Sequence, residues 1–213
     1  TLDPVPGVAV CEIPVPRDLL PALRQRAAEL RVPLSSVLLA AHATVLAALC
    51  GESEVVTGYL AGIRGVPLPC RLETASGSWR AMLHQAHRTE WELLAHQDFP
   101  VGDLAGELGL TGAAFETVFD ALGGEGALAP GTVLWVSIWP HRGRLALRLR
   151  YRTDVLDADA AARIAGYHLT ALALIVADPE AEPGRQSLLS PGELGFQLDG
   201  LAGPHRSRPD RRM

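Results

Sequence analysis

From Arg144 to Tyr151 the chain alternates, with Leu145, Leu147 and Leu149 on one side and Arg144, Ala146, Arg148 and Arg150 on the other. A period of two predicts a strand whose leucine face meets a core and whose arginine face meets water. Shorter apolar runs predict strands at Val8–Ile13, Glu54–Leu60, Leu68–Leu72, Phe115–Phe119 and Thr132–Trp139, with Pro14 and Pro16 closing the first. Elsewhere the period is helical. Leu19, Leu20, Leu23, Ala27 and Leu30 form one stripe, with Asp18 placed to cap it. A second helix starts at Pro33 and Ser35-Ser36 and is almost wholly apolar to Cys50, so it is expected to be buried on most sides. Gly51 stands where a left-handed residue ends a helix. Ser76 or Ser78 opens a third helix, which buries Trp79, Met82, Leu83, Ala86, Leu93 and Leu94. Asp157 or Asp159 opens a fourth through Ile164, Leu169, Leu172 and Ile175, and Asp178-Pro179 stops it.

Strands and helices are interspersed without strict alternation. The expected class is α/β or α+β, a mixed sheet flanked by helices. Periodicity fades after Pro183, and Gly203–Met213 reads as a polar, arginine-bearing, disordered tail. There is no internal repeat.

Composition narrows the function classes. The 213 residues are 48% hydrophobic and 20% charged, with a net charge of −5. That balance gives no general attraction to nucleic acid or anionic membrane. Every basic residue apart from histidine is arginine, which excludes a P-loop lysine and a Schiff-base lysine. The three cysteines, Cys11, Cys50 and Cys70, lack the pairing of a disulfide framework and the spacing of a zinc site. Cys50 reads as a core thiol. The longest apolar run, Leu34–Cys50, falls short of the ~20 residues of a membrane span. With no leader pattern either, a cytoplasmic location is expected.

Candidate chemistry is sparse. The sequence holds no GxSxG elbow, no GxGxxG after a strand and no HExxH. His84 and His87, with His96 following, could face a metal, but no carboxylate or cysteine completes a ligand set, so no metal site is expected. Gly123-Gly124-Glu125-Gly126 is a loop with no helix after it, hence no phosphate cradle. Asp157 and Asp159 read as helix caps, and His42, inside an apolar helix, as a satisfied core histidine. The densest polar stretch is His96-Gln97-Asp98-Phe99-Pro100. Its spacing suits a helix terminus: Asp98 caps a following helix over Val101–Leu108, Phe99 anchors it, and Pro100 sits in its first turn.

That stretch, "AHQDFPVGDL", also resembles the HQD(Y/F)PFE motif of condensation domains of nonribosomal peptide synthetases. Neighbouring segments follow the same family's order. "VPLSSVLLAAHATVLAALCGESEVVTGYLAGIR" looks like its helix, strand and "VVGTPVAGR". "PLPCRLE" resembles "TLPLRV", "LALRLRYRTDVLDADAAARIAGYHLTALALIVADPE" looks like its "LRLEYRTDLFDAETIERLAG" stretch, and "SLLSPGEL" resembles "PLLSPEER". The resemblance covers most of Cys11 to Leu194.

The resemblance implies the C-terminal lobe of a two-lobed, chloramphenicol acetyltransferase-like domain, over residues 1–194, with a linker or disordered tail over 195–213. The family's catalytic motif, HHxxxDG, belongs to the other lobe and has no counterpart in these residues. The floor segment Gly62, Arg64, Gly65, Val66 is cut short of the family's "GxFVNT", and the residues after Pro100 depart from "FE". The family holds the histidine corresponding to His96 in a structural role. No catalytic residue is therefore assigned, and His96, Gln97, Asp98, Phe99 and Pro100 are expected to be structural. The expected role is a non-catalytic docking platform for an adenylation domain or a peptidyl carrier protein in secondary metabolism such as antibiotic biosynthesis. No cofactor is bound directly on this reading; phosphopantetheine would arrive on the carrier protein. The alternatives are the second half of an active, amide-forming domain whose HHxxxDG lobe lies elsewhere, and a free-standing acyltransferase using His96.

Overall fold

The computed structural model describes residues 7–60, 66–74, 77–97, 115–121, 123, 128–129, 131–141 and 144–201. Among these, six strands form one mixed sheet. They are β1 (Val8–Pro14), β2 (Glu54–Leu60), β3 (Leu68–Glu73), β4 (Thr117–Asp120), β5 (Leu134–His141) and β6 (Arg144–Arg152). The order across the sheet is β1-β6-β5-β4-β2-β3. β2, β4 and β5 run parallel, and β1, β6 and β3 are antiparallel to their neighbours. The helices are α1 (Leu19–Leu30), α2 (Leu34–Cys50), α3 (Trp79–Ala95), α4 (Ala158–Ala177) and α5 (Pro191–Leu201), with a 3-10 turn at Pro183–Arg185.

The principal core lies between one sheet face and helices α1 to α4. Leu147 and Leu149 of β6 enter it, as their alternation predicts. The largely apolar α2 is enclosed from Ser36 to Leu46, because α1, α3 and α4 pack around it over β2. By length and composition α4 could cross a membrane. Ala161, Ile164, Ala165, Ala171, Leu172 and Ile175 bury its inner face against α1, α2 and the sheet instead.

Local chemistry departs from the pattern in several places. Asp18 already has helical dihedrals and makes no capping hydrogen bond. Pro33 does precede α2, with Ser35 and Ser36 in its first turn, but Ser36 is wholly buried. Ser78 does cap α3, and Asp157 caps α4 through the Ala160 N–H at 2.6 Å. Leu94 is exposed and Glu90 takes a place in the buried stripe of α3. Cys50 is exposed, not a core thiol; Cys70 is the buried one.

The arginine face of β6 is not simply wet. Arg148 Nε lies 3.0 Å from Glu12 Oε1 on β1. Arg150 stacks over the Trp135 ring, 4.8 Å from its centre. A second apolar cluster sits on this face: Leu60, Val118 and Trp135, with Phe115 and Leu128 against it. Gly58 makes that possible, since a Cβ there would stand 2.3 Å from the Phe115 ring.

The chain after Pro183 is also more ordered than its fading periodicity suggests. Ser190 and Glu193 form a reciprocal capping box: the Ser190 hydroxyl accepts from the Glu193 N–H and the Glu193 carboxylate from the Ser190 N–H. This box opens α5, which runs into the stretch expected as a tail.

Candidate functional site

In open sheets, ligands meet the carboxyl ends of parallel strands. Here that edge carries Leu60 of β2 beside its register partner Asp120 of β4. The floor segment leaves β2 from this point, and Gly62, Arg64 and Gly65 lie outside the described residues; Val66 is exposed. Asp120 is fully buried, and its Oδ1 accepts from the Gly123 N–H at 3.0 Å. Across the same face the row continues through Ser137 and Arg148 to Glu12. Sequence reasoning did not single out Asp120, which looks like one more strand-end carboxylate.

Of the HQDFP stretch, His96 and Gln97 are described, and Asp98, Phe99, Pro100 and the Val101–Leu108 segment lie outside the described residues. His96 is exposed, and its backbone N–H closes α3 on the Leu93 carbonyl at 3.0 Å. That is the geometry of a helix terminus. No group of three or more metal-ligating side chains occurs among the described residues, His84 and His87 included.

The interior holds two polar networks instead. In the first, His168 Nδ1 is 2.8 Å from the Ile164 carbonyl, His42 Nδ1 is 3.1 Å from His168 Nε2, and His42 Nε2 is 3.3 Å from Thr57 Oγ1. Thr117 donates to Thr57 at 3.0 Å. For neutral rings one arrangement satisfies the three histidine contacts, although the single Thr57 proton then goes to His42 and not to the Thr117 carbonyl 3.1 Å away. The Ile164 carbonyl can only accept, so His168 is protonated at Nδ1 and offers its Nε2 lone pair. His42 must then donate from Nδ1 and accept at Nε2 from Thr57. Both rings are wholly enclosed, and burial drives both pKa values down, to about 4 for His168 and well below the usual histidine range for His42. His42 is thus the satisfied core histidine that its apolar helix predicts. His168 was missed. The signal is there: it fills a slot in the Ile164, Ala165, Ala171, Leu172, Ile175 stripe.

In the second network Glu90 of α3 accepts from Ser36 of α2 and from Tyr59 of β2. Burial, then the neighbouring carboxylate, raises the Tyr59 hydroxyl pKa and pushes the Cys70 thiol up to about 12. His87 Nδ1 approaches Ser36 at 3.4 Å. The trio of Ser36, His87 and Glu90 is not a nucleophile relay. The serine proton goes straight to the carboxylate, and Ser36 has no exposed surface. Both networks fasten helices to the sheet and neither touches solvent chemistry.

The fold matches that of solved condensation domains. The structure matches a four-domain nonribosomal peptide synthetase solved with AMP and glycine bound, at a TM-score of 0.77 and 14% identity, over 92% of this chain and 19% of that one. It matches the first condensation domain of the calcium-dependent antibiotic synthetase in complex with a substrate analogue, at a TM-score of 0.70 and 22% identity, over 89% of this chain and 50% of that one. In sequence it is 29% identical to tyrocidine synthase 3 of Brevibacillus parabrevis over 214 residues, 84% of this chain and 3% of the relative. Tyrocidine synthase 2 of the same organism is 25% identical over 89% of this chain and 6% of its own length. No family model matches the chain. The 213 residues are homologous to a segment of these synthetases and have the fold of part of a condensation domain, spanning about half of the solved domain and a small fraction of the curated relatives.

Proposed function

We propose that this chain is a condensation-type lobe that serves a nonribosomal peptide synthetase as a docking platform, and that by itself it forms no amide bonds. The observation that carries the reading is the seating of its C-terminal segment. Leu188 is buried, Tyr167 of α4 donates to Glu193 at 2.8 Å, and Trp79 of α3 donates to Gln186 at 2.6 Å. The chain after α4 is thereby fastened to the lobe. It then presents Phe196 and Leu198 of α5, 81% and 68% exposed. Apolar side chains held outward on an anchored helix suit contact with a neighbouring adenylation or carrier domain. The HHxxxDG histidine motif is absent from these residues, so the base that amide formation needs has no source here.

The test compares the parent adenylation protein with and without residues 1–213 in solubility, melting temperature and amino-acid activation, and repeats the comparison with Phe196→Ser and Leu198→Ser together. The docking reading expects the deletion and the double substitution to lower the melting temperature or the activation rate. Three unchanged readouts, together with no carrier-protein binding by calorimetry, would sink it.

A second reading is supported by the row Glu12, Arg148, Ser137 and Asp120, which lays charge along the sheet face as far as the carboxyl end of β4. It is that the lobe completes an amide-forming site with an HHxxxDG lobe supplied elsewhere. Turnover of loaded donor and acceptor carrier proteins on adding such a lobe, and none with either lobe alone, would favour it.

A further inference from the structure

We infer that the pocket between the end of α2 and the amino-terminal edge of the parallel strands binds a small primary amine bearing one apolar arm. This site lies at the opposite end of β2 and β4 from Leu60 and Asp120, and it does not depend on the docking reading. The pocket is an open one of about 390 Å³, within the lower range of ligand sites, roughly 300–1,000 Å³. Its walls are Leu46, Val55, Leu134, Leu156 and Ile164, an apolar surface that takes an alkyl or aryl arm.

The mouth selects the charge. α2 ends there, with Leu49 and Cys50 in the lining and no basic residue in its last turn. A helix C-terminus carries about half a negative charge and favours a cation. Glu116 adds a carboxylate with no ion pair to any described residue, and Glu54, also in the lining, is paired with Arg71 on the neighbouring strand. Among the described residues, no lysine, arginine or histidine lines the pocket. The opposing helix start, that of α4, is already neutralised by the Asp157 cap and by Asp159. Thr117 supplies the polar contact. Its hydroxyl donates inward to Thr57, which leaves it only acceptor capacity for a ligand. Helix dipole, carboxylate and hydroxyl are all acceptors, and an ammonium group is all donor.

The test titrates n-octylammonium chloride, below its micelle-forming concentration, into the 213-residue chain by calorimetry, with n-octanoate and n-octanol as headgroup controls. The amine is expected to bind at one to one, tighter than either control, and to protect Cys50 from N-ethylmaleimide in a peptide-mass assay. Leu49→Trp, made at a half-exposed position, should fill the mouth and abolish both effects. Glu116→Gln, on the surface and harmless to the fold, should weaken the amine about two- to fivefold and leave octanol unchanged. Octanoate binding as tightly as the amine, a stoichiometry well above one, or amine binding unaltered by both substitutions would overturn the inference.

Discussion

The imidazoles of His42 and His168 stack 5.4 Å apart and share one hydrogen bond, which they cannot keep if both are protonated. Phe119 closes over His42 at 5.0 Å, so no water replaces a lost partner there without opening the core between α2, α4 and the sheet.

A pH dependence of stability follows. Both histidines have folded pKa values below the unfolded value of about 6.5. Their contribution is fully present above that pH. It is lost as pH falls from about 6.5 towards 4, because the unfolded chain takes up protons that the folded chain refuses. Each histidine adds a slope of about 1.4 kcal/mol per pH unit at most. Urea unfolding at pH 7.0, 6.0 and 5.0 should show the loss, and His168→Gln should lower stability at pH 7 and flatten the slope. Equal slopes in the two proteins would show that the buried pair does not drive it.

Glu90 is the other interior commitment. Removing it leaves the hydroxyls of Ser36 and Tyr59 buried without an acceptor. Glu90→Ala should cost about 3–5 kcal/mol, as for other broken buried charge networks. Tyr59→Phe should cost about 1–2 kcal/mol. The double variant should be clearly less destabilised than the sum, since the Tyr59 donor is already gone. Additive losses in chemical denaturation would mean that the two side chains do not share the network.

What was legible in the sequence follows from which effect placed each residue. Leu145, Leu147 and Leu149 are set by the pleat and one buried face, so a period of two reports them directly. The order β1-β6-β5-β4-β2-β3 is set by long-range pairing, which no local pattern encodes. The predicted strand at Phe115–Phe119 shows the difference. Apolar character placed it two residues early, because Phe115 serves as a lid over Gly58 and not as a ladder residue. Sites followed the same logic. The His96 terminus could be read from helix-ending chemistry, and His42 from its apolar surroundings. His168 and Glu90 could not be read as partners, because each is completed by a residue 126 or 54 positions away.

Gly58 offers a packing test. Alanine there would normally favour a strand, since glycine costs about 0.5–1 kcal/mol of chain entropy. Here the added methyl meets the Phe115 ring, so Gly58→Ala should destabilise by about 1–3 kcal/mol through overpacking. Phe115→Ala alone should cost less than about 3–5 kcal/mol, as its ring is only half enclosed. Combining the two should recover part of the Gly58→Ala loss. Thermal unfolding of the three variants decides it, and a double variant no better than the sum removes the close-approach argument.

The last prediction concerns the segment on which the docking reading rests. Glu193 accepts from the Ser190 N–H, and Tyr167 reaches the same carboxylate from α4. Those bonds hold its pKa below the usual carboxylate range, the Ser190 backbone contributing most. The carboxylate is therefore the single atom group that both starts α5 and ties it to the lobe. Glu193→Ala should leave the melting temperature of the main core nearly unchanged, because Leu188 and the Trp79–Gln186 bond remain. Amide exchange over residues 191–195 should accelerate, while the strands of the sheet keep their protection. Acid should mimic the substitution: as pH falls through the lowered pKa, the carboxyl gains a proton and the same amides should open before the sheet does. Tyr167→Phe should produce a smaller version of the effect, since it removes the tie to α4 and keeps the cap. If Glu193→Ala leaves exchange at 191–195 unchanged, α5 is held by other contacts, and Phe196 and Leu198 are not presented by this anchor.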